Sequence, residues 1–154
     1  MAFSNEAQLR AELSKKCAIA IGNAADIVRK KFEENLNTFY SEYSPTEYIR
    51  TGALEGSLYS TDVRRYGNQH VSGAVAEVGF EVPSYQHGWV RLQSGGFDWS
   101  SWSDEEVLDV VMTGALPHGD AAAGTAIWTK TIKDLGGKRG IEAIIKQELK
   151  RQGI

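Results

Sequence analysis

The sequence predicts an α+β fold: a long N-terminal amphipathic helix, a small antiparallel β-sheet, then shorter C-terminal helices. Three observations carry that prediction. Apolar residues recur at steps of four and three from Leu9 to Phe39. Between residues 70 and 82 the pattern changes to alternation. From Ser103 onward helical signals return, opened by Ser103-Asp104-Glu105-Glu106 and punctuated by glycines.

The first helix is expected from about residue 5 to about residue 39. Leu9, Leu13, Cys17, Ile21, Ala25, Val28, Phe32, Leu36 and Phe39 form its apolar stripe. Ser4 or Asn5 caps its start. At 1.5 Å per residue it is roughly 50 Å long. Gly22 sits inside it at a cost of about 1 kcal/mol relative to Ala, which points to a kink or a close contact there. Tyr43-Ser44-Pro45 ends the helix, because proline disfavours the helical conformation in the residue before it.

Residues 40–57 form a junction, and residues 58–102 hold the central sheet and an aromatic loop. Leu54 to Arg65 is open to two readings: a short helix starting at Leu54, or a strand from Leu58 to Val63. Tyr66-Gly67-Asn68 signals a turn. A strand over residues 70–82 then places Ala74, Ala76, Val78, Phe80 and Val82 on one face. Val75, Glu77, Gly79 and Glu81 fall on the other, and Pro83 stops the strand.

Residues 103–154 read as helical. Ser103 and Glu106 have capping-box spacing, with Trp102 and Val107 placed for a hydrophobic staple. That helix extends to about Thr113, where Gly114 closes it. A loop follows around Pro117-His118-Gly119-Asp120. Residues 125–135 suit a strand or a helix, the helix being preferred. Gly136-Gly137 breaks the chain, and a last helix over residues 140–152 aligns Ile141, Ile144, Ile145 and Leu149. There is no internal repeat and no low-complexity linker, so 154 residues are expected to form a single domain.

Composition narrows the function classes. Hydrophobic residues at 42% and charged residues at 24% suit a water-soluble globular chain. A net charge of −3 gives no global nucleic-acid signal. No apolar run reaches the roughly 18 residues of a spanning helix, and the N-terminus lacks a secretion-signal pattern. A cytosolic setting without a membrane partner is therefore expected. The charge is unevenly spread: Glu77 to Asp120 holds eight acidic residues against Arg91 alone. Lys130 to Arg151 holds seven basic against three acidic. Two solvated faces explain this, and so do complementary patches meeting head to tail between identical subunits.

Catalytic and metal patterns are weak. His70, His87 and His118 show no metal-ligand spacing, and one cysteine makes no multi-cysteine site. His118 and Asp120 place an imidazole near a carboxylate, but no nucleophile motif accompanies them. Cys17 reads as a buried core thiol. The glycines never form a phosphate-binding loop. No enzyme activity, catalytic residue, cofactor or metal is expected. Tyr85, Trp89, Phe97, Trp99 and Trp102 form an aromatic group in a Gly/Ser loop. It suits a partner contact, a loop folded on its own cluster, or a stacking platform for sugars or bases.

One stretch is distinctive: Tyr40, Tyr43-Ser44-Pro45, Tyr48, Arg50-Thr51-Gly52, Leu54 and Ser57. Gly52 allows a positive φ between helix and sheet. Arg50 can fork onto a carboxylate or helix-terminal carbonyls. Tyr43 and Tyr48 offer flat faces with a polar tip. This segment is similar to the corresponding one in siphophage-type minor virion proteins, the head–tail joining or tail-completion (neck) family. Val107 to Gly114, His118-Gly119 and Ile127-Trp128 also resemble a downstream pattern in that family. The resemblance implies a non-enzymatic structural protein, forming a homo-oligomeric ring at the head–tail joint or tail end of the virion. Its residues at Tyr43, Pro45, Tyr48, Arg50, Thr51, Gly52 and Leu54 would serve the structural junction and assembly. Its partners would be itself and neighbouring neck and tail proteins, with DNA only as transiting cargo, after assembly in the host cytoplasm. Alternatives are another virion- or toxin-associated interaction protein, or a carbohydrate-binding module using the Trp-rich loop.

Overall fold

The computed structural model describes residues 5–42, 53–67, 72–82, 103–113 and 126–154. The elements are α1 (Glu6–Glu42), α2 (Ala53–Gly56), β1 (Leu58–Ser60), β2 (Arg64–Gly67), β3 (Ser72–Val75), β4 (Val78–Phe80), α3 (Asp104–Thr113), α4 (Ile127–Asp134) and α5 (Gly137–Arg151). The architecture is α+β, with a long first helix, two small antiparallel sheets and shorter C-terminal helices. The chain divides into two compact units. The first gathers Met1–Lys31, Tyr59–Gly79 and Asp134–Ile154; the second gathers Phe32–Leu58 and Phe80–Lys133.

In the first unit, α1 begins at a side-chain cap. Asn5 Oδ1 accepts the Gln8 N–H at 2.9 Å, satisfying one of the amides that a helix start leaves unpaired. Of the expected apolar stripe, Phe32 and Leu36 are fully buried, but its first members, Leu9 and Leu13, are not. Ala20 and Ala24 are buried, whereas Leu9, Leu13, Ile19 and Ile27 are more than a third exposed. Small side chains explain the difference, because they let neighbouring elements close on the helix backbone. Gly22 is the clearest case: a Cβ there would stand 3.2 Å from Val63 Cγ2. The expected close contact is thus present. Cys17, expected in the core, is only half-buried.

The sheet region resolves the ambiguity at residues 54–65 in favour of both readings, a one-turn helix followed at once by a strand. The predicted strand over residues 70–82 is instead two short strands, β3 and β4, interrupted at residues 76 and 77. The cause is a register change. The Thr61 N–H donates to Glu77 O at 2.9 Å, and the Glu81 N–H donates to Ser57 O at 2.9 Å. Both bonds fit one antiparallel register between β1 and β4, with Tyr59 opposite Gly79. Between β2 and β3, Arg64 faces Val75 and Tyr66 faces Gly73. From the Thr61–Glu77 pair to the Arg64–Val75 pair, one strand advances three residues and the other two. The extra residue is a β-bulge. Thr61 Oγ1 accepts the Glu77 N–H at 2.9 Å where the regular ladder breaks.

Without the bulge, Tyr59 and Tyr66 would fall on opposite faces, being seven residues apart. The extra residue returns them to one phase, matching Gly73 and Gly79, which are six apart. Each tyrosine ring covers the glycine across from it. A Cβ at Gly73 would meet Tyr66 Cζ at 2.5 Å, and one at Gly79 would meet Tyr59 Oη at 3.2 Å. Aromatic cover of this kind compensates for the packing that glycine cannot supply in a strand. Val82, expected on the same face as Phe80, is exposed. It lies two residues past the end of β4, where the alternation no longer applies.

α4 confirms the preferred helical reading of residues 125–135. Gly136 and Gly137 follow with φ of 81° and 66°, a left-handed pair that breaks the chain direction before α5. α5 starts three residues earlier than expected and ends in a Schellman motif. Gly153, at φ 74°, donates to Lys150 O, and the Ile154 N–H donates to Leu149 O.

Candidate functional site

Most of the residues singled out from the sequence lie outside the described residues. These are Tyr43, Pro45, Tyr48, Arg50, Thr51 and Gly52 of the junction, and Tyr85, Trp89, Phe97, Trp99 and Trp102 of the aromatic loop. The three histidines and the Pro117–Asp120 turn lie there too. Leu54 is the junction residue in view. It is buried in α2, and its carbonyl accepts both the Ser57 N–H at 3.2 Å and the Ser57 hydroxyl at 2.8 Å. Leu54 therefore closes the turn that feeds β1. Among the described residues, no group of three His, Cys, Asp or Glu is placed to hold a metal ion. Among them also, no helix is long and apolar enough to cross a membrane.

What the described residues offer is two polar nodes. In the second unit, Phe32 of α1 is fully buried. Its ring meets Phe80 edge-on at 5.4 Å between centroids and Trp128 of α4 in a tilted stack at 5.1 Å. Such pairs contribute about 0.5–1.5 kcal/mol each beyond area burial. One turn further along α1, Asn35 Nδ2 donates to Thr131 Oγ1 at 2.9 Å, with both residues buried. This bond and the Phe32–Trp128 stack fix α4 against α1 in rotation as well as distance. Trp128 nevertheless stays 40% exposed. It is a large aromatic surface held rigid from behind, the type of group that anchors protein contacts.

In the first unit, Glu148 of α5 is 2% exposed. Asn23 of α1 donates to its Oε2 at 3.1 Å, and Arg151 pairs with its Oε1 at 2.5 Å. A buried carboxylate needs such partners, since isolated burial of a charge is prohibitive. Both oxygens of the buried carboxylate are thus engaged within the fold.

Charge divides with the units. The first holds 13 Lys and Arg against 8 Asp and Glu, a balance of 13 − 8 = +5. The second holds 4 against 12, a balance of 4 − 12 = −8. Together these give +5 − 8 = −3, the charge of the chain. The division differs from the linear one in the sequence. Glu77 joins the basic unit, Lys130 and Lys133 join the acidic one, and residues 6–31 of α1 add six basic side chains to the first. On α5, Arg139, Lys146 and Lys150 are exposed on the side opposite Glu148. On α3, the predicted capping box is present: Ser103 Oγ accepts the Glu106 N–H at 3.2 Å, and Glu106 Oε2 accepts the Ser103 N–H at 2.7 Å. Glu105, Glu106 and Asp109 are exposed around it.

The chain matches no protein-family model, no curated protein and no solved structure.

Sequence reasoning did not single out Trp128 as a contact residue, nor the Asn23–Glu148 pair. The signal for Trp128 was its place beside Ile127 on a short amphipathic segment. Asn23 and Glu148 carried no local signal, because their partnership spans 125 residues.

Proposed function

We propose that this chain is a structural virion protein of a tailed phage. It assembles as a ring of identical subunits at the head–tail joint or the tail end and completes or joins the tail. It has no catalytic role in this reading. The observation that carries it is the division of charge into a basic and an acidic compact unit within one subunit. A ring needs two different, mutually complementary surfaces on every copy. The resemblance of the junction from Tyr43 to Leu54 to neck proteins supports the same reading, as does the order of long helix, small sheet and shorter helices. Its other partners are neighbouring neck and tail proteins, and DNA passes only as cargo.

Mixing the purified protein with isolated heads and isolated tails tests this. Sedimentation with one of the two particles, and recovery of joined infectious virions only when the protein is added, are expected. A protein that ignores both particles, or virions that join equally well without it, would overturn the proposal.

A further inference from the structure

We infer that the exposed half of the β-ribbon, β2 with β3, contacts the phosphate backbone of duplex DNA through Arg64 and Arg65. The β1–β4 and β2–β3 pairs form one ribbon joined at the bulge, and its two halves differ in their surroundings. β1 and β4 are half-buried throughout, whereas every residue of β2 is exposed. The base of the ribbon is fixed to α1. The Arg29 guanidinium donates to Ser60 Oγ at 3.4 Å, and Val63 packs against Gly22. From Arg64 onward the strand has no buried face, so no core dictates its side chains.

Those side chains suit a polyanion. Arg64 lies opposite Val75 and Tyr66 opposite Gly73, on one face of the ribbon. Arg65 lies opposite Ala74 on the other face, so guanidinium groups leave the strand on both sides. Tyr66 is 58% exposed, the most exposed large hydrophobic side chain among the described residues, and its ring lies against Gly73. Gly67, Ser72, Gly73 and Ala74 are all small, which keeps this half of the ribbon thin. Neither β2 nor β3 carries an acidic residue. Glu77, just beyond β3, pairs with Arg64 at 3.3 Å, but both side chains are more than half exposed. So exposed a pair is weak, and a phosphate can take the place of the carboxylate.

The major groove of B-DNA, about 12 Å wide, admits a two-stranded ribbon, whose strands stand about 4.8 Å apart. Phosphates wall that groove on both sides, which matches arginines on both faces. A protein or a flat anionic membrane, meeting one face, would leave one of the two arginines outside the contact. Backbone contacts carry no sequence information, so the binding is sequence-independent. It is also salt-dependent. Two neutralised phosphates per subunit give a log–log salt slope of roughly −1.8. This contact goes beyond the neck reading and does not depend on it.

Fluorescence anisotropy of a short labelled duplex, titrated with the full chain across a range of salt, tests the contact. R64Q/R65Q should bind at least about tenfold more weakly at low salt, with most of the salt slope gone. K146Q/K150Q removes the same charge from an exposed face of α5 and should bind within about twofold of wild type. Glu77→Gln should bind more tightly, by about twofold, because Arg64 loses its competing partner. That gain cannot come from misfolding, and unchanged circular dichroism checks the other variants. A wild-type chain that binds no duplex at the lowest salt overturns the inference. So does R64Q/R65Q binding like wild type, or K146Q/K150Q losing as much as the ribbon variant. Tighter capture of single-stranded DNA, an acidic peptide or anionic vesicles through the same arginines would also overturn it. A chain that joins heads to tails while ignoring DNA would refute this contact and keep the neck reading. Ribbon-dependent duplex binding by a chain that ignores both particles would do the reverse.

Discussion

Asn23 Nδ2 donates to Glu148 Oε2 at 3.1 Å, joining the first helix of the chain to the last across 125 residues of sequence. The carboxylate is buried, so the two partners differ in weight. Asn23 approaches from another element, whereas Arg151 approaches from the same helix with its side chain 60% exposed. Asn23 is itself exposed, so Asn23→Ala is expected to destabilise the fold by about 1.5 kcal/mol, the low end for losing a hydrogen bond to a charged group. Arg151→Ala is expected to cost about 1 kcal/mol or less, because solvent screens its exposed end. Urea denaturation of the two variants checks the ranking, and equal losses would contradict it.

Gly140 is required by a backbone atom rather than by its own φ. A Cβ there would fall 1.7 Å from Leu135 O. No side-chain rotation relieves that clash, so the turn between α4 and α5 must open. Gly140→Ala should lose about 3 kcal/mol, at the upper end of ordinary single substitutions. Gly137 has a φ of 66° and open space around its Cβ position. Gly137→Ala should lose only the left-handed backbone penalty, about 1 kcal/mol. Thermal unfolding midpoints of the pair separate steric from conformational cost.

Removing the fully buried Phe32 ring should cost about 3–5 kcal/mol in Phe32→Ala. Trp128→Ala should cost less, about 1–2 kcal/mol, because part of that ring already faces water and the aromatic pair supplies the rest. Self-association should respond in the opposite order: at concentrations where both variants are folded, Trp128→Ala weakens it more. Denaturation and sedimentation on the same samples check both orders.

The capping box predicts a local effect. Ser103→Ala removes the acceptor of the Glu106 N–H and should cost about 1 kcal/mol. Hydrogen exchange should speed up within α3 and stay unchanged in α5. Uniform acceleration across both helices would mean that α3 does not open independently.

The legible features were local ones. Asn5 and Ser103 announced helix starts because a cap satisfies amides within three residues of itself. Gly136-Gly137 announced a break because a left-handed pair ends a helix whatever surrounds it. The strand at residues 70–82 misled because its alternation runs through a bulge whose extra residue lies in the other strand. The stripe on α1 held at Phe32 and Leu36 but not at Leu9 and Leu13, and it passed over Ala20 and Ala24, whose small size is what brings neighbours close.

By itself the sequence determined the α+β class, the order of the elements and the chemistry of their ends. These depend on residues a few positions apart. Tertiary structure alone decided that Glu148 is buried beside Asn23, that Trp128 is braced by Phe32, and that residues 6–31, the sheet strands and α5 pool a positive balance. Each of these depends on segments more than 90 residues apart in the chain, or on which of three distant segments join one unit. Burial and net surface charge are sums over neighbours in space, and no window along the chain contains those neighbours.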